Sequence, residues 1–282
     1  MTKAKKPWWR RWLPWEPASP QVSVVRLTGV IGTDQFGRGL SLGAMAETLE
    51  RAFTAGKPKA VALLINSPGG SPVQSGLLHD RIRALSAQHR VKVFAFAEDV
   101  AASGGYMLML AGDELFAHAH SIIGSIGVVS AGFGFDRMIE KIGVDRRVYT
   151  AGTSKAMLDP FQPERESDVA HLKALQAEVH DGFVAMVKGR RAGRLQHDDQ
   201  TLFNGAFWTG ATAKTMGLVD SIGDVRGIMR ASFGEDVVLR VFAPRSGWRL
   251  FNREAPAASA LLAPQQWLAA LEERQLWARY GL

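Results

Sequence analysis

Apolar positions fall into short continuous runs separated by stretches with a helical rhythm, starting at residue 22. Residues 22–31 (VSVVRLTGVI) read as a strand, and residues 41–55 then place Met45, Leu49, Ala52 and Phe53 at helical spacing before Gly56 closes the helix. Residues 60–65 (AVALLI) form an unbroken apolar run, the mark of a strand covered on both faces. A helix over residues 72–88 carries Leu78, Ile82 and Leu85 on one side, and a second apolar run, residues 91–97 (VKVFAFA), follows it. Strand and helix alternating at these spacings predict βαβ units and a mainly parallel sheet, with functional groups gathered at the carboxyl ends of strands.

Two glycine-rich segments occupy those ends. In residues 100–110 (VAASGGYMLML) Ser103 lies on a tight strand-to-helix turn, where Gly104 leaves room for a substrate backbone and its N–H points to where an oxyanion forms. The competing reading is a helix N-cap serine beside packing glycines. Residues 66–70 (NSPGG) leave the preceding strand in the same way. Gly69 and Gly70 expose backbone N–H groups there, and with Gly104 they make a two-donor oxyanion hole, each donor of which supplies about 3–4 kcal/mol of transition-state stabilisation. The competing reading of that segment is an ordinary Pro-Gly turn.

Two kinds of base suit such a serine. A Ser-His-Asp arrangement would take His118 or His120, oriented by Asp99 or Asp113. Alternatively, residues 148–161 (VYTAGTSKAMLDPF) set Lys155 beside Ala156, Met157 and Leu158, and a lysine desolvated there sheds its proton more readily than in water. A solvated loop lysine is the other reading of that position.

Taken together, INSPGGS, AASGGYM, GSIGVV and AGTSKAMLDPF, with Lys155 placed 52 positions after Ser103, resemble the signal peptide peptidase family of the SppA and SohB type. The resemblance covers about residues 22–234. It implies a serine endopeptidase with a Ser-Lys dyad on an α/β, ClpP/crotonase-like fold of repeated β-β-α and βαβ units. On the matching motifs, Ser103 is the expected nucleophile and Lys155 the general base. Ser125 of GSIGV is the hydroxyl that orients the lysine amine, and Gly70 and Gly104 are the oxyanion donors, with Gly69 as the alternate to Gly70. No metal or cofactor is implied. The expected substrates are signal-peptide remnants or other short, unfolded or membrane-associated peptides. Other members of the superfold that act on acyl-CoA thioesters, or that have lost catalysis, are the alternatives.

Composition refines this picture. A chain of 282 residues with 46% hydrophobic and 22% charged content supports a full core. The expected division is a basic arm (1–21), a single catalytic domain (22–235) and a C-terminal extension (236–282) with a helix over residues 264–280. The absence of cysteine excludes disulfides, thiolate zinc sites and a Cys nucleophile, and His118 and His120 have no third ligand at metal spacing. Of the net charge of +7, Lys3, Lys5, Lys6, Arg10 and Arg11 supply five, and residues 245–282 add five arginines against three glutamates. The body is therefore neutral and offers no broad phosphate-binding face, so nucleic acid is not an expected partner.

The five N-terminal cations interleave with Trp8, Trp9, Trp12 and Trp15, which suits a peripheral membrane contact; a basic arm docked on the protein's own surface is the alternative. That segment holds no apolar run of signal-peptide or transmembrane length, so a cytoplasmic or peripherally attached inner-membrane location is expected. There is also no second SGGY-like motif. Since the long relatives in the resembled family draw serine and lysine from tandem domains, a homo-oligomeric ring is expected, with Ser103 of one copy meeting Lys155 of the next.

Overall fold

The computed structural model describes residues 19–32, 39–244 and 273–282, so the expected arm up to residue 18 and residues 264–272 of the expected C-terminal helix lie outside the described residues. The alternating pattern folds as β1 (Gln21–Thr28), α1 (Leu42–Thr54), β2 (Ala60–Ser67), α2 (Pro72–His89), β3 (Lys92–Ala102) and α3 (Gly104–Met109). β4 (Glu114–Ala117), β5 (Ile122–Gly124), α4 (Asp136–Lys141) and the long α5 (Glu166–Arg190) follow. α6 (Asp199–Leu202), β6 (Phe207–Thr209), α7 (Gly210–Thr215), β7 (Ser221–Ile222), α8 (Val225–Phe233) and β8 (Val238–Phe242) complete the order.

These strands form one sheet in the order β6-β5-β3-β2-β1-β8, with β4 pairing both β3 and β7. Every pairing is parallel except β5 with β6, as the α/β reading of the sequence requires. Because strand side chains alternate between faces, Val25, Leu27, Val61, Leu63, Val93 and Ala95 face a large core under α1, α2, α3 and α5. Val22, Val24, Ala60, Ala62, Phe94 and Phe96 face a smaller core closed by Met229 of α8. α1 buries Met45, Leu49, Ala52 and Phe53, the four positions at helical spacing, and Ser41 caps it by accepting from the Ala44 N–H.

β3 is longer than its apolar run because one strand serves two partners. Phe94–Ala97 pairs with β4, and Val100–Ala102 pairs with β5. Between them the register against β2 slips: a step of two positions in β2 (Ile65 to Ser67) matches a step of four in β3 (Ala97 to Ala101). Asn66 fills this bulge, accepting from the Val100 N–H at 3.1 Å and donating to Asp99 at 2.8 Å. The bend turns the end of β3, and with it Ser103, towards β5. β8 pairs in register with β1, from Gln21↔Val238 to Val25↔Phe242, so the sheet continues past residue 235 to Phe242. No helix among the described residues is long and apolar enough to cross a membrane.

Candidate active site

Ser103 follows the last residue of β3 and precedes α3, with φ 52° and ψ −123°, a conformation that L-residues avoid and that costs on the order of 1–3 kcal/mol. Its N–H bonds the Gly124 carbonyl at 2.8 Å, carrying the β3–β5 ladder one residue further, and its carbonyl accepts from the Tyr106 and Met107 N–H groups. Its side chain makes no capping hydrogen bond to α3, which removes the N-cap explanation for a serine at this position. Strain without a cap leads to a stability prediction: Ser103→Gly should raise the unfolding free energy by about 1 kcal/mol, read as a higher urea midpoint. A lower midpoint would show that the turn is not strained.

The two glycine-rich turns meet here. A Cβ on Gly69 would lie 2.8 Å from the Ser103 Cβ and 3.0 Å from the Gly104 nitrogen, so only a glycine lets the NSPGG turn touch the serine turn. Gly70, at φ 140°, lies against Ile31: the Ile31 N–H bonds the Gly69 carbonyl at 2.8 Å and the Ser71 N–H bonds the Ile31 carbonyl at 2.7 Å. In this parallel bridge the N–H groups of Ile31 and Ser71 are engaged, whereas that of Gly70 has no acceptor among the described residues. The Gly69 N–H is taken by Ser67 Oγ at 3.2 Å. Between the two alternates, Gly70 is therefore the one with a donor to offer. The Gly104 N–H, first in α3, likewise has no acceptor among the described residues, as expected for the opening turn of a helix.

α3 is held from beneath. Tyr106, fully buried, donates its hydroxyl to the Leu218 carbonyl at 2.8 Å, and burial pushes its pKa above the usual tyrosine range. The adjacent Gly217 carbonyl accepts from the Arg191 guanidinium at 2.7 and 2.9 Å, and Arg191, 1% exposed, also pairs with Asp220.

A cleft of about 460 Å³ opens beside Ser103, lined also by Ser125, Val128, Gln176, His180, Asn204 and Arg279. Ser125 is buried and follows Gly124, which pairs with Ala102, so Ser103 and Ser125 leave neighbouring strands at matching positions. Of the predicted site residues, Ser103, Ser125 and Gly104 are brought together, and Gly70 adjoins them through Gly69. Lys155 is not among the residues lining the cleft. It sits in an irregular segment and is exposed; Ala156 and Met157 are half-buried and Leu158 is exposed, so this chain by itself does not desolvate the amine in the way its neighbours in sequence suggest. That segment has internal structure of its own, with the Leu158 N–H on Asp168 at 3.2 Å, the Phe135 N–H on the Pro160 carbonyl at 2.6 Å, and Phe135 stacked on Phe161.

The histidine alternative does not assemble. His118 and His120 lie against each other and away from the cleft, Asp99 is bound by Asn66, and Asp113 is bound by Arg83 and the Val93 N–H. The histidine that does reach the cleft is His180 on α5, whose Nε2 donates to the Ile126 carbonyl at 3.2 Å. It carries no local sequence signal, because only the tertiary packing of α5, which meets α3 and reaches Ile126 just past β5, brings it there.

Comparison with known proteins supplies a context for this geometry. Over 93% of its length the chain is 51% identical to the Na(+)/H(+) antiporter NhaA of Brucella abortus, of which it spans 37%. It therefore covers little more than a third of that relative, and the antiporter name belongs to the longer protein as a whole. It is 30% identical to the chloroplastic serine protease SPPA of Arabidopsis thaliana, over 74% of this chain and 30% of that one. Among solved structures, the 1510-N membrane-bound stomatin-specific protease superposes with a TM-score of 0.51 at 15% identity, over 81% of this chain and all of the other, a likeness of fold alone. The model of peptidase family S49 matches residues 86–232, more than half of the sequence and the part that holds Ser103, Ser125 and Lys155, and the chain belongs to that family.

Proposed function

We propose that this protein hydrolyses peptide bonds by acyl transfer at Ser103, with Lys155 of a neighbouring copy as the base. The observation that supports this is the Ser103 residue itself, held in a strained turn, uncommitted to capping and lining a cleft, next in sequence to the Gly104 N–H and touched by the turn that carries the Gly70 N–H, neither of which has an acceptor among the described residues. In this reading neutral Lys155 takes the Ser103 proton while Oγ attacks the substrate carbonyl. The Gly70 and Gly104 N–H groups receive the developing oxyanion. The lysine then returns the proton to the leaving amine and activates water for deacylation, and Ser125 orients its amine by a hydrogen bond.

A neighbouring copy is invoked because Lys155 is exposed and apart from the cleft within one chain. The segment that carries it also presents Val129, Phe133, Ile142 and Tyr149 at 68%, 74%, 65% and 91% exposure. Apolar side chains so exposed and so close in sequence support an interface, and burial there would also strip water from the amine. A closed head-to-tail ring satisfies every copy in the same way. The substrates proposed are short or unfolded peptides, membrane-associated ones included.

Peptide-library cleavage tests the reading. The wild type should cut, and Ser103→Ala should lose at least about 1,000-fold in kcat/KM. A folded Ser103→Ala protein that cuts at the wild-type rate would overturn it.

A further inference from the structure

The cleft has an electrostatic character that its glycine and valine walls hide. Among the described residues of one chain that line it, none is Asp or Glu, and Arg279 is the one arginine or lysine. The remaining polar groups are neutral amides and hydroxyls, together with His180, whose Nε2 is engaged by the Ile126 carbonyl. Arg279 has no carboxylate partner among the described residues, and its guanidinium lies over the Tyr280 ring, 5.9 Å from the centroid, at the edge of the cleft it lines.

Arg279 comes from the far end of the chain, and the contacts that seat it there are explicit. Residues 273–278 are helical, the Arg279 N–H bonds the Gln275 carbonyl at 3.3 Å, and the Leu282 N–H turns back to the Trp277 carbonyl at 3.4 Å. The next residue, Tyr280, meets the Phe207 ring edge-on with centroids 5.0 Å apart. Phe207 belongs to β6 and pairs with Gly124 of β5, whose carbonyl accepts the Ser103 N–H. One aromatic contact and two steps of the sheet thus tie Arg279 to the wall that carries Ser103.

We infer that Arg279 is a specificity-determining residue, and that it makes the cleft select peptides carrying a carboxylate side chain close to the scissile bond. An arginine fork binds a carboxylate by parallel N–H···O bonds, and no acid among the described residues lining the cleft competes for it. Glutamine keeps the shape of glutamate without the charge, and lysine reverses the charge, so matched peptides with Glu, Gln or Lys at one position isolate this contribution. The inference rests on Ser103 being the nucleophile.

The experiment is kcat/KM for such a peptide set, built on a sequence selected by library cleavage and measured on the full chain, with fluorophosphonate labelling of Ser103 recorded for every variant. Arg279 is exposed and its pairing is correspondingly screened, so the wild type should prefer Glu over Gln by about fivefold, with Lys the poorest. Raising the salt concentration should shrink that preference. Arg279→Gln should bring the Glu/Gln ratio close to one, and Arg279→Glu should reverse the order so that the Lys peptide leads. A wild type indifferent to the charge, or a Glu/Gln ratio unchanged in Arg279→Gln while Ser103 still takes the probe, overturns the role of Arg279 alone. Failure of a folded wild type both to cleave and to label at Ser103 overturns the nucleophile assignment, and this inference with it.

Discussion

Gly70→Ala is expected to lower kcat/KM for peptide hydrolysis by about 100-fold or more and the unfolding free energy by about 2–4 kcal/mol, values set by the loss of the proposed oxyanion donor and by forced strain. The added methyl would lie 2.1 Å from the Ile31 carbonyl oxygen, and the φ of 140° is one that alanine resists. Ile31 cannot yield locally, because it is bonded on one side to the Gly69 carbonyl and on the other to the Ser71 N–H. The turn must therefore move, and it carries the Gly70 N–H with it relative to the Ser103 turn that Gly69 touches. Gly76→Ala is the matched control. Gly76 lies inside α2, and a methyl group added there would meet nothing within 4 Å, so alanine should add about 0.5–1 kcal/mol of stability and leave turnover alone. Urea melts with initial rates on one peptide read both outcomes. Wild-type rates from a folded Gly70→Ala protein would remove Gly70 from the oxyanion site.

Much of this architecture is legible in the sequence because local pattern and tertiary role agree. The unbroken run at residues 60–65 is a central strand flanked by β1 and β3, and the four apolar positions of α1 all face the core. The glycine pairs are readable for a physical reason: two turns that touch leave no space for side chains, and only glycine satisfies both.

What escapes the pattern does so where distant partners decide. Glu98 and Asp99 interrupt the apolar run of β3, yet the strand continues because Asn66 of β2 reaches across and fills the bulge. β8 falls within the expected extension because its place beside β1 is fixed by pairing with the start of the sheet, more than 200 residues away. Arg279 and His180 reach the cleft through the packing of the C-terminal turn and of α5, to which nothing near them in sequence points. Lys155 is the reverse case. Its motif is plain in the sequence, but its apolar neighbours do not bury it within the chain.

Mixing two inactive proteins, Ser103→Ala and Lys155→Ala, under conditions that let subunits exchange tests the account most directly. Each variant alone should lose at least about 1,000-fold in turnover, one lacking the proposed nucleophile and the other the proposed base. Lys155→Ala should fold normally, since that side chain is exposed. If each site takes Ser103 from one copy and Lys155 from the next, random assembly of an equal mixture leaves about one site in four with both groups, and about a quarter of the wild-type activity should return. A mixture of folded, demonstrably co-assembled protomers that stays as inactive as its parents would contradict a site shared between copies.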